Sequence, residues 1–151
     1  MFLTMFIMAP IYSQVMEEGV NPYLEGSITQ EEAIQVGEKP IKEFMLRQTR
    51  EKDLALFVRI SQDDLPEDRL DTAFSSLIPA FVISELKTAF QIGFLLYIPF
   101  IVIDLIVASI LMSMGMFMLP PVTISVPFKV LLFIMVDGWH LIVRSLVESF
   151  V

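Results

Sequence analysis

The sequence predicts an all-α chain in which a small polar helical module is joined to a membrane-embedded helical hairpin. Three observations carry that prediction. Of 151 residues, 55% are apolar, and the mean hydropathy of +0.69 exceeds that of ordinary soluble domains. The charges are uneven: residues 1–73 hold 7 Lys/Arg and 14 Asp/Glu, residues 74–151 only 3 and 4, so a net −7 gives way to −1. Finally, Leu105 to Phe128 runs 24 residues without a charge, long enough for a helix to cross a bilayer.

Composition also removes function classes. A pI near 4.5 and the lack of basic clusters argue against a nucleic-acid partner, which needs Lys and Arg to neutralise phosphates. Cysteine is absent, which removes disulfides, thiolate nucleophiles and cysteine metal sites. With His140 the single histidine, no His/carboxylate cluster suits zinc or iron, so no metal or other cofactor is expected. No nucleophile-base pair and no glycine-rich phosphate loop is visible, and an enzyme is not expected.

Residues 1–12 (MFLTMFIMAPIY) are apolar, too short to span alone, and lack the basic start of a signal peptide. They read as the end of a membrane helix; docking of a short apolar terminus on a core is the plainer alternative. Residues 13–73 form the acidic module, punctuated by Gly19, Asn21-Pro22 and Gly26. Thr29 and Glu32 have the spacing of a capping box, which predicts a helix start. Ala33, Val36, Ile41 and Phe44 follow at helical spacing, with Gly37 and Pro40 interrupting, so a second helix is expected from Pro40. Leu54, Phe57 and Val58 mark a third helix with one apolar stripe.

Residues 74–151 form the hairpin, two long helices joined at Pro120-Pro121, where neither proline can donate to a helix ladder. Pro79, Pro99 and Pro127 fall inside the apolar runs and are expected to break or kink them. Glu85 and Lys87 lie two apart, on different helix faces, so each needs another partner. Asp104, Lys129 and Asp137 pose the same problem, because an unpaired charge at membrane depth is costly. Ion pairs within the hairpin or between subunits are expected, such as Asp104 or Glu85 with Lys129 or Lys87. A proton relay is the functional alternative, weakened by the lack of a connected chain of titratable groups.

Met112, Met114, Met116 and Met118 alternate before Pro120, a spacing of two that makes no helical stripe and suits a frayed end or loop. Gap-filling core, a soft-metal copper site and a flexible apolar pore seal are the three readings. Gly115 lets such a loop bend. Trp139 and His140 read as an interfacial anchor, with Gly138 allowing close helix packing.

The segment from Pro79 to Phe150 closely resembles the C-terminal half of the FliP family, the flagellar type III export-gate proteins. The elements that carry the likeness are PAF, SELK, AFQIGF, PF..ID, MGM.MLPP, IS.PFK and DGW. EFMLRQTREKDLALF, Glu43 to Phe57, and FLTMFIMAP near the start extend it to most of the chain. Two departures stand out. The family begins with a signal sequence and a first membrane segment, so this sequence reads as one lacking roughly the N-terminal third. The family's three consecutive methionines are Met116-Phe117-Met118 here.

The resemblance implies an integral membrane helical hairpin plus a small helical extracytoplasmic domain on the periplasmic side. It implies a channel subunit in the bacterial inner membrane, at the flagellar basal body, assembled in several copies with FliQ and FliR and working with FlhA and FlhB. Unfolded flagellar proteins would be the cargo. Met116, Phe117 and Met118 would form this subunit's part of a pore gasket; Glu85, Lys87, Asp104 and Lys129 would form assembly ion pairs. A small-ion or copper transporter and a membrane-anchored periplasmic interaction module are the competing readings.

Overall fold

The computed structural model describes residues 2–61 and 68–150. The chain is all-α, with no strand among the described residues. The helices are α1 (Phe2–Gln14), α2 (Asn21–Leu24), α3 (Gln30–Gln48), α4 (Glu51–Ser61), α5 (Phe74–Ser113), α6 (Pro121–Met135) and α7 (Gly138–Glu148). A π-helical segment, Val15–Val20, joins α1 to α2, and a short 3₁₀ turn, Arg69–Asp71, precedes α5. Two compact units divide the chain, residues 1–87 and 88–151, and the division falls inside α5.

In the first unit, helix continues past Gly19 and Asn21-Pro22, where the sequence suggested turns; the chain first turns at Gly26, whose φ of +75° suits glycine. Gly19 is instead a packing position. A Cβ there would lie 3.1 Å from the Ala33 carbonyl oxygen and 3.4 Å from the Gly37 Cα, so small residues let the π-helical segment approach α3 closely.

The capping box forms as expected: the Glu32 N–H donates to the Thr29 hydroxyl at 3.3 Å, and the Thr29 N–H donates to the Glu32 carboxylate at 2.9 Å. The Thr29 N–H, and after it the Thr29 hydroxyl at 3.0 Å, donate to the Glu32 carboxylate and hold it below its usual range. The break expected at Pro40 does not occur. Helix α3 runs through it, because one proline forfeits one ladder bond while Pro40 and, a turn later, Phe44, Met45 and Leu46 are buried. At its end the Thr49 hydroxyl donates to the Met45 carbonyl at 2.7 Å. Leu54 and Val58 of α4 are buried, as are Leu77 and Ala80 of α5, and the Phe44 and Phe81 rings meet at 6.0 Å between centroids.

Helix α5 continues unbroken for 40 residues through Pro79 and Pro99, against expectation. At 1.5 Å per residue it is about 60 Å long, and by length and composition it can cross a membrane. The second arm is the broken one, but not at Pro127, which lies inside α6. Helices α6 and α7 meet at 62°. There Asp137 adopts a left-handed φ of +50°, and a Cβ on Gly138 would fall 2.2 Å from the Phe133 ring. The turn therefore combines a strained backbone with a position only glycine fits.

Candidate functional site

Three groups of side chains stand out along the hairpin and its junction with the module. The first joins α4 to the early part of α5. Lys87 is ion-paired with Asp53, and the fully buried Ser84 hydroxyl donates to the other Asp53 oxygen at 2.9 Å. The Arg50 N–H donates to that same serine oxygen at 3.0 Å. Asp53 is only 4% exposed, so its charge survives burial because the Lys87 ammonium and the Ser84 hydroxyl compensate it.

The Lys87 hydrogen bond holds the Asp53 carboxyl below the usual range; burial opposes it, and Ser84 and Arg50 add to the lowering. A carboxylate whose folded pKa is depressed contributes stability above its unfolded value of about 3.9 and loses it as pH falls through the folded pKa. Acid titration of the detergent-solubilised chain, followed by circular dichroism, is expected to show unfolding of the 13–73 helices beginning below about pH 4. Asp53→Asn should lower thermal stability at pH 7 and flatten that acid limb; an unchanged limb would show that the clasp does not set acid stability.

The second group lies inside the hairpin. Lys129 of α6 reaches Asp104 of α5 at 2.8 Å, and the fully buried Ser125 hydroxyl donates to the same carboxylate while lying 2.8 Å from the Val122 carbonyl oxygen. Ser125 and Lys129 are four apart, on one face of α6. Deeper along the hairpin, Phe100 and Phe133 stack at 6.4 Å, and Trp139 packs edge-on against Phe133 at 5.6 Å.

The third group is the turn between the arms. Met112 still belongs to α5, but residues 114–119 leave the helix, with Gly115 at φ +72°. Phe117 and Met118 project outward, 79% and 96% exposed, and Met116 is less so. The side chains of this loop are all apolar, and no cluster of three or more metal-binding His, Asp or Glu side chains occurs among the described residues.

Of the four charged residues singled out from the sequence, Asp104 and Lys129 meet each other within one chain. Lys87 meets Asp53, which the sequence reading passed over. Glu85, half-buried, has no ion pair among the described residues. Asp53, Ser84 and Ser125 were also missed. A signal existed for the first: Asp53 stands four before Phe57 and one before Leu54, on the apolar stripe of α4, where a carboxylate demands a partner.

Comparison with known proteins is consistent along the chain. The FliP family model matches residues 1–146. The flagellar biosynthetic protein FliP of Bacillus subtilis (strain 168) is 57% identical over 150 residues, covering 99% of this chain and 68% of that protein. The FliP of Pectobacterium carotovorum subsp. carotovorum is 54% identical over 152 residues, with 99% and 58% covered. That of Caulobacter vibrioides is 53% identical over 150, with 99% and 56% covered. The chain thus spans between about half and two thirds of the length of these relatives. Matched by the family model over nearly its whole length and so similar to these flagellar biosynthetic proteins, the chain belongs to the FliP family.

Proposed function

We propose that the chain is a non-catalytic channel subunit of the flagellar type III export gate, passing unfolded flagellar proteins across the bacterial inner membrane. In this reading residues 13–73 form the periplasmic module and residues 74–151 the pore-forming hairpin, assembled with further copies and with FliQ and FliR, beside FlhA and FlhB. The observation that carries it is the apolar Met116-Phe117-Met118 turn at the tip of a hairpin long enough to cross a membrane, in a chain of this family. Unbranched methionines yield to a moving polypeptide and close behind it without wetting the path.

The two ion pairs support an assembly role of a particular kind. Asp104 with Lys129 fixes the register of α5 against α6, and Asp53 with Lys87 fixes α4 on α5. Each copy would thus be shaped before it meets its neighbours, while Glu85 remains available for a contact between subunits. Copper or small-ion transport gains no support from the three relatives named above, each a flagellar biosynthetic protein.

The direct test is replacement of the matching part of the Bacillus subtilis FliP by this chain. Swarming and flagellin secretion are expected to return to a strain lacking the resident protein. A chimera present in the membrane at normal level that secretes no flagellar protein would overturn the proposal.

A further inference from the structure

Helix α4 starts at Glu51, directly after Arg50, whose carbonyl accepts from the Asp53 and Leu54 N–H groups at 3.0 Å each. Arg50 thus stands at the capping position, and a guanidinium offers no acceptor to the first amides of a helix. The capping box of α3 shows the usual solution. There the cap residue is Thr29, and the carboxylate three places on, Glu32, takes the Thr29 N–H at 2.9 Å. In α4 that place belongs to Asp53, a methylene shorter. Between Asp53 and the Arg50 N–H stands Ser84 of α5, whose hydroxyl accepts from the Arg50 N–H at 3.0 Å and donates to Asp53 at 2.9 Å. Ser84 is fully buried and lies 34 and 31 positions from these two partners. Lys87, a turn further along α5, holds the other Asp53 oxygen.

We infer that Ser84 is the missing part of a split capping box, and that it makes the start of α4 conditional on the placement of α5. A helix of 11 residues is marginal by itself, so the state of its first turn matters to all of it. With α5 docked, one hydroxyl satisfies both the Arg50 N–H and the Asp53 carboxylate. With α5 drawn away, both return to water and the arginine side chain cannot stand in. The first turn of α4 therefore reports where α5 lies. Helix α3 does not, because its cap is made within four residues of its own segment.

Hydrogen exchange of the full chain in detergent, read by mass spectrometry, tests this. Ser84→Ala is expected to speed exchange at residues 50–54 about fivefold, the effect of losing a cap, and to leave residues 29–33 unchanged. Adding Arg50→Ser, which supplies a cap from α4's own segment, is expected to bring exchange back to within about twofold of the unaltered chain. Leu77→Ala removes a fully buried side chain of α5 outside the relay. It is expected to open residues 50–54 in the unaltered chain but not in Arg50→Ser. Unchanged exchange in Ser84→Ala would overturn the proposal, showing that α4 holds its own start. Opening that Arg50→Ser does not reverse would overturn it too, assigning the effect to lost packing at position 84. If Ser84→Ala does not accumulate, the Leu77→Ala pair decides: equal opening with and without Arg50→Ser sinks the conditional start.

Discussion

Reversing Asp104 to Lys is expected to reduce recovery of the export-gate complex from detergent by at least tenfold, and the exchange Asp104→Lys with Lys129→Asp to restore most of it. The pair lies within one chain, between two apolar helices, with Ser125 bonded to the same carboxylate. A single reversal faces two cations across hydrocarbon and leaves the Ser125 hydroxyl only the Val122 carbonyl as acceptor, whereas the exchange returns opposite charges to the same two places. Blue-native electrophoresis of the complex reads both outcomes. Lys87→Glu is expected to be milder, because the Lys87 side chain is about half exposed and water can screen the repelled charge. Normal complex yield from Asp104→Lys would show that hairpin register does not limit assembly, and failure of the exchange would assign these residues a contact outside the hairpin.

Replacing Met116, Phe117 and Met118 with alanine is expected to make the membrane leak ions while export continues. The three side chains lie on a turn that makes no ion pair and no side-chain hydrogen bond among those seen at the hairpin, so truncation removes bulk without breaking the fold. A seal works by filling space with apolar matter and excluding water from a constriction. Alanine leaves a wider, wettable gap through which a rise in conductance on the order of tenfold follows. Flagellin secretion, measured in the same cells, distinguishes a leaky gate from an absent one. Unchanged conductance with secretion intact would remove these residues from the gasket. Restoring Phe117 alone should close the gap only in part, since its ring is stiffer than a methionine chain.

What was legible in the sequence follows from how local each feature is. The capping box at Thr29 and the stripe Leu54-Phe57-Val58 are decided within four residues, and both stand where periodicity placed them. The unlike halves were legible as charge density. Prolines misled in both directions: Pro40, Pro79 and Pro99 sit inside continuous helices, while the actual bend comes ten residues after Pro127. A proline removes one donor from a ladder of many, and packing along a long face outweighs that loss. The polar clusters were the least legible. Asp53 meets Lys87 across 34 positions and Ser125 meets Asp104 across 21, so their partnership exists only once the helices are packed. Family motifs drew attention to Lys87, Asp104 and Lys129, yet the buried serines that complete both clusters carry no charge to flag them.

The bend between α6 and α7 has a consequence for how related sequences can vary. Its two central positions are restricted for unrelated reasons, one by a dihedral angle and the other by space. Position 137 can hold Asp, Asn or Gly, which tolerate the left-handed region, but not a β-branched residue. Position 138 has no second choice while an aromatic ring fills position 133. The bend is thus written in a three-position code, and a chain that gains a side chain at 138 must give up its ring at 133 to keep the same path.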